Sequence, residues 1–278
     1  MSVWSFCPTA INDHLKMMAI KNKGDIDDIN EYKRLWIDWI GPFKGCEQKA
    51  EWAICNGIHD ALISQIAFKS NKFDTFYIFD TDYKFYDAIL LSYNYKTISP
   101  KNIKDIKPNS YIIVSQPNHE GSITPWFEEL KDHCRNNNSR IFLDCAFFGT
   151  TLNDSIDTSD PVFDAVAFSL SKNFVLGGIR AGIVFGDKLA YTLTVPISEK
   201  FGYNYFNSLS VQATKTILPN FPPTYITKHA KKHQLNYCNE NNLTPADIWM
   251  WAFDKENNKI CITDFIKDKI QEDLNKEI

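Results

Sequence analysis

Between Trp52 and Leu189 short, continuously apolar runs alternate with stretches of helical spacing, and this alternation restricts the possible folds more than any other feature of the chain. The spacing predicts strands over 76–79, 97–99, 111–115, 140–143, 165–169 and 181–185, and helices over 57–69, 86–92 and 124–136. A strand that is apolar at every position leaves no face for water. Such strands, with helices between them, imply a largely parallel sheet covered on both faces, an α/β architecture. In sheets of this kind ligands collect in the crevice beyond the carboxyl ends of the strands. Chemistry-bearing residues are therefore sought just after each strand.

The flanking segments read differently. Ile26, Ile29, Tyr32, Leu35, Trp36 and Trp39 recur at helical spacing before Gly41-Pro42 stops the run. Asp25-Ile26-Asp27-Asp28 lacks the ligand spacing of a calcium loop and reads as the cap of that helix. Beyond Leu189 the sheet pattern ends, and Pro219-Asn220-Phe221-Pro222-Pro223 interrupts a helical stretch. A small α+β unit follows, with strands expected over 247–253 and 259–263 and a terminal helix from Asp264. The expected division is an N-terminal segment, 1–45, packed with the small domain, a large domain, 46–195, and a connecting helix with a small C-terminal domain, 196–278.

Composition removes several classes of function. The 278 residues carry 30 Lys and Arg against 34 Asp and Glu, a formal charge of -4 that offers no basic excess to a nucleic-acid backbone. No apolar run approaches the roughly 18 residues of a membrane span. The first residues show no basic region followed by an apolar stretch, which points to a cytoplasmic protein. Seven scattered cysteines without a CxxC pair read as reduced thiols, neither a disulfide framework nor a zinc site. His229 and His233 share a helix face, but three neighbouring lysines make that face a solvated basic surface, and no metal is expected. Neither Gly-x-Gly-x-x-Gly nor Gly-x-Ser-x-Gly occurs, which weakens a nicotinamide-binding or hydrolase reading.

The most informative stretch is Phe168-Ser169-Leu170-Ser171-Lys172-Asn173-Phe174-Val175-Leu176-Gly177-Gly178-Ile179-Arg180-Ala181-Gly182. A lysine at a strand terminus can carry an aldehyde as a Schiff base, while serines and the planar fork of an arginine suit phosphate oxygens. Ser-x-Ser-Lys, then small residues, then Arg and Gly, resembles the lysine segment of the class I/II aminotransferases, pyridoxal 5'-phosphate (PLP) enzymes of the aspartate aminotransferase-like fold type I. Three other segments agree in order: Ile54-Cys55-Asn56-Gly57-Ile58-His59-Asp60-Ala61, Ser115-Gln116-Pro117-Asn118-His119-Glu120-Gly121 and Arg140-Ile141-Phe142-Leu143-Asp144-Cys145-Ala146-Phe147.

The resemblance implies a role for each position. Gly57, Ile58 and His59 would open a helix whose backbone N–H groups bind the cofactor phosphate, with Ser169 and Arg180. Asp144 would pair with the protonated pyridine nitrogen and keep the ring an electron sink. Asn118 would donate to the ring oxygen, and Tyr83, in Thr81-Asp82-Tyr83-Lys84-Phe85-Tyr86, would stack on the ring. Lys172 would hold the aldehyde and then act as the base at the substrate's α-carbon. Asp144 and Lys172 are thus the expected catalytic pair.

Two departures complicate the comparison. Phe147 stands where the family usually has a tyrosine that donates to the same ring oxygen. The arginine that commonly grips the substrate carboxylate from the small domain is also missing: the arginines are Arg34, Arg135, Arg140 and Arg180, and Cys261 stands at the expected position. Lys259, near it on the strand, is expected to face the other way. The resemblance implies a PLP-dependent aminotransferase, short and with a reduced small domain, taking an amino donor and a keto acceptor and forming a homodimer. A lyase or decarboxylase of the same fold, or a PLP-fold protein of low activity, are the alternatives.

Overall fold

The computed structural model describes residues 29–41, 45–152, 155–194 and 207–276. Asp25-Ile26-Asp27-Asp28, read above as a helix cap, lies outside them. The first described element is α1 (Ile29–Trp39), followed by β1 (Glu51–Cys55), α2 (Ile58–Lys69), β2 (Thr75–Phe79), α3 (Phe85–Leu90), β3 (Tyr95–Ile98) and β4 (Ser110–Ser115). Next come α4 (Phe127–Asn136), β5 (Arg140–Cys145), β6 (Phe163–Ser169), β7 (Gly182–Gly186) and α5 (Tyr191–Thr194). The chain closes with α6 (Ser208–Ile217), α7 (Tyr225–Asn241), β8 (Thr244–Pro245), β9 (Trp251–Phe253), β10 (Lys259–Cys261) and α8 (Thr263–Lys276).

Seven strands form one sheet in the order β1-β7-β6-β5-β4-β2-β3. Strands β2 to β6 run parallel, and β7 is antiparallel to both of its neighbours. The apolar runs explain the arrangement. Every residue of β2, β4 and β7 is buried, so alternate side chains serve two different cores. Tyr111, Ile113, Phe142, Ala165 and Ala167 face a layer built on α2, α3 and α5, whereas Ile112, Val114, Ile141, Leu143 and Val166 face α1, α4 and the C-terminal elements. Helix α4 shows the matching amphipathic pattern. It buries Phe127, Leu130, Lys131 and Cys134, and it carries Glu128 and Glu129 in its first turn and His133 and Arg135 in its last, which suits the helix dipole.

Helix α1 closes the far side of β7. The Tyr32 hydroxyl donates to the Gly182 carbonyl at 2.9 Å, and the Trp39 indole donates to the Phe221 carbonyl at 2.8 Å. The small three-stranded sheet, β10-β9-β8, is antiparallel, and its core is continuous with that of the large sheet. Its expected strand over 247–253 shrinks to β9, because Ile248, Trp249 and Met250 form a buried turn. The Gln234 amide nitrogen holds that turn, 3.0, 2.9 and 2.8 Å from the carbonyls of Ala246, Ile248 and Trp251. The predicted strands of the large sheet appear with ends moved by a few residues. Within the large sheet, β1 is the strand the spacing does not predict: Glu51-Trp52-Ala53-Ile54-Cys55 buries only Ala53 and Cys55 at a sheet edge, too short a pattern to stand out. Among the described residues no helix is long and apolar enough to cross a membrane.

Candidate active site

Strand register brings the chemistry to one edge of the sheet. Ser115 at the end of β4 lies opposite Asp144 on β5, and Asp144 lies opposite Ala167 on β6. Ser169, the last residue of β6, and Cys55, the last of β1, both lie opposite Gly182. A cavity of about 150 Å³ opens beyond these ends. Ile58, His59, Tyr83, Asp144, Phe147, Ser169, Lys172 and Arg180 all line it. Ser171, read with Ser169 as a phosphate serine, lines it too, as do Tyr86, Ser115 and His119, to which the sequence gives no role.

Lys172 follows β6, and burial pulls its ammonium down to about 8, against the opposing pull of Asp144. Its Nζ lies 5.5 Å from the centre of the Phe147 ring. Asp144 is buried, and burial raises its carboxyl despite three groups that favour the charged form: the Tyr86 hydroxyl, the Ala146 N–H and Lys172. Tyr86 donates to Asp144 Oδ2, and the Ala146 N–H donates to Oδ1 at 2.7 Å. Beneath this pair sits Asp82. Its Oδ1 accepts the Ser115 N–H at 3.1 Å, its Oδ2 has no hydrogen-bond partner among the described residues, and burial pushes its carboxyl up to about 8.

The anion end is built on Gly57. This residue has φ 82 and ψ 171, a region that only glycine adopts without strain, and it starts α2, whose first N–H groups have no partner within the helix. Arg180, itself at φ 58, donates to the Asn56 carbonyl at 2.8 Å and to the Gly177 carbonyl at 3.2 Å. A Cβ on Gly57 would meet Arg180 Nη2 at 2.6 Å, so only glycine lets the guanidinium close over the helix start. Gly57 lies behind the cavity wall, which Ile58, His59 and Arg180 form at that end.

Two further residues sit differently from a simple reading of their segments. Asn118 is buried beside the cavity, and its Oδ1 accepts the Ser122 N–H at 3.1 Å, while the next residue, His119, reaches the cavity wall. Tyr83 stands 45% exposed at the mouth, with its ring tilted by 30° on that of His119 at 4.9 Å. The expectation that Lys259 faces away from the site is overturned. Residues two apart on a strand share a face, so Lys259 and Cys261 point the same way, and Lys259 donates to the His119 carbonyl at 2.6 Å. On α7, His233 pairs with Asp273 Oδ2 at 2.7 Å.

Tyr86 was legible in the Tyr-x-x-Tyr spacing that also carries Tyr83, whereas His119 gave no signal beyond lying in a turn. The donor set suits PLP. A buried carboxylate for the pyridinium, a desolvated amine for the aldehyde, and a glycine-started helix with arginine and serines for the phosphate meet in one cavity, and the Gly57 cradle leaves no room for a side chain.

The sheet order and the lysine-bearing crevice define a fold type I PLP enzyme. The model of the aminotransferase class I and II family matches residues 7–241, and the chain belongs to that PLP-dependent family. Comparison with curated proteins gives no match. Solved structures share the fold. The PLP-bound C-S lyase from Staphylococcus hominis superposes with a TM-score of 0.69 at 15% identity, covering 95% of this chain and 74% of that one. Tyrosine aminotransferase from Leishmania infantum gives 0.66 at 14% identity, with 88% and 77% covered. A tetra mutant of Thermus thermophilus aspartate aminotransferase gives 0.63 at 12%, with 89% and 78% covered. At these identities the likeness is one of fold, and it spans transferases and lyases alike.

Proposed function

We propose that this chain is a PLP-dependent aminotransferase acting on an amino acid or related amine, with Lys172 and Asp144 as its catalytic residues. The observation that carries this reading is the desolvated Lys172, its ammonium lowered to about 8, on the wall of the same cavity as a buried carboxyl. A lysine so lowered is partly uncharged near neutral pH, the form that attacks an aldehyde or takes a proton. Lys172 would hold the cofactor through Nζ and, once a substrate amine displaces it, move a proton from the α-carbon. Asp144, held by Tyr86 and the Ala146 N–H, would keep the pyridine nitrogen protonated. When bound, PLP supplies the electron sink for the carbanion. The α2 start, Ser169 and Arg180 would anchor the phosphate, Asn118 would serve the ring oxygen, and Tyr83 would cover the ring. A homodimer in the cytoplasm, with a small-molecule amino donor and keto acceptor, completes the reading.

One observation favours a second reading, a lyase of the same fold. Phe147 packs on Trp251 with ring centres 5.0 Å apart and offers no hydroxyl to the cavity, which alters the proton inventory on which transamination depends. Incubating the PLP-loaded protein with a panel of amino acids separates the two. Pyridoxamine phosphate with keto-acid release supports transamination; ammonia with recovered PLP supports elimination. Neither product from any donor would overturn both.

A further inference from the structure

Lys259 and His119 form a contact that the reading above leaves unused. The Lys259 ammonium has three N–H donors, and three acceptors surround it: the His119 carbonyl at 2.6 Å, His119 Nδ1 at 3.3 Å and Glu120 Oε1 at 3.4 Å. The Trp251 ring covers it at 4.5 Å. Its donors are therefore spent within the protein, and it is not a substitute for the missing carboxylate-binding arginine. Its effect falls on His119 instead. A charged ammonium has no lone pair, so Nδ1 must accept, and the ring proton of His119 resides on Nε2.

The charges around His119 reinforce this state. Burial first, and then Lys259 on β10, Lys172 in the turn after β6 and Lys84 in the segment before α3, push the imidazole down to about 3. Glu120, from the same loop, is the carboxylate in this group and is engaged by Lys259. The ring lies between Tyr83 at 4.9 Å and Trp251 at 5.5 Å and lines the cavity. A neutral imidazole with Nδ1 occupied has one polar function left, an N–H donor.

Resting on the PLP reading above, we propose that His119 Nε2–H donates to the phenolic oxygen of the cofactor, and that Lys259 is the positioning residue that fixes this tautomer. In PLP the phenolic oxygen and the aldehyde stand on adjacent ring atoms, so a donor to the oxygen must lie near the lysine that takes the aldehyde. Lys172 Nζ and the His119 ring both pack on Phe147, at 5.5 and 6.0 Å from its ring centre, and Phe147 has no polar atom. Asn118 has its Oδ1 bound to the Ser122 N–H, so its Nδ2 is the donor it can offer the same oxygen, and His119 rather than Asn118 lines the cavity itself. His119 thus fills the side of the site where a hydroxyl is missing.

The test titrates the visible absorbance of the full-length, PLP-loaded protein without substrate. A donor to the phenolic oxygen favours its deprotonated form, so H119F should raise the apparent pKa of the band by about one to two pH units. H119Q, which retains an N–H, should recover most of that shift, and K259M should give an intermediate value. In the 15N-labelled chain, K259M should convert His119 from a fixed Nε2–H form to a mixture of tautomers. An H119F band that titrates as in the wild type overturns the assignment of His119 alone, whereas a wild-type protein without any band overturns the cofactor reading itself. Should H119F fail to fold, an unchanged titration in K259M together with an unchanged His119 tautomer would overturn the assignment equally.

Discussion

Gly57→Ala tests the phosphate end of the site with a single methyl group. Two costs follow from the geometry. The backbone at φ 82 and ψ 171 must be held by a residue that disfavours it, at about 1–3 kcal/mol. The new Cβ, 2.6 Å from Arg180 Nη2, must also displace the end of that flexible side chain from the Asn56 carbonyl it now reaches at 2.8 Å, an exposed hydrogen bond worth about 0.5–1.5 kcal/mol. Together about 2–4 kcal/mol are expected, a fall in Tm of roughly 10 °C for a chain of this size. PLP affinity should drop by about tenfold or more, because the helix start and Arg180 are displaced together. Thermal unfolding with and without PLP, and an absorbance titration with PLP, measure the two effects. Arg180→Gln in the same background relieves the contact but not the backbone strain, so the double variant should lose less than the sum of the single variants. A Gly57→Ala protein with wild-type Tm and wild-type PLP affinity would refute the cradle.

Two other variants probe the charge cluster under the ring site. Asp82 keeps its proton in the native state up to about 8 but loses it near 3.8 when unfolded, so wild-type stability should fall as pH rises between those values. Asp82→Asn does not titrate, and its stability relative to wild type, read by urea denaturation, should increase with pH by up to about 1.4 kcal/mol per unit until about pH 8; a pH-independent difference would count against a buried protonated Asp82. Tyr86→Phe removes the donor to Asp144 Oδ2, which should raise the Asp144 carboxyl further and weaken PLP binding several-fold, with unchanged affinity as the contrary result.

The large sheet was legible because its central strands carry continuous apolar runs, 76–79, 111–114, 141–143 and 165–168, a pattern that water exposure would not tolerate, and Asp144 and Lys172 follow directly from where β5 and β6 end. Strand β1 was not legible, since only Ala53 and Cys55 are buried and the five-residue run carries no period. Phe147 could be read as a departure, but not what compensates for it. The placement of His119 depends on Lys259, 140 residues further along the chain, and no local pattern reports a contact at that separation. The expectation for Lys259 failed for another reason: it and Cys261 are two apart on β10, so strand alternation already puts them on one face. Tyr86 and Asp82 share one short segment, yet their value lies in the neighbouring strands: Ser115 on β4 and Asp144 on β5 meet them only once the sheet is assembled.

The central claim concerns a covalent bond to one nitrogen. Borohydride reduction of the PLP-saturated protein, followed by proteolysis and mass spectrometry, should find the added phosphopyridoxyl mass on the peptide that contains Lys172. In Lys172→Ala that peptide should carry no such mass, and the visible band should be lost. Label on other lysines with Lys172 unmodified would contradict the account.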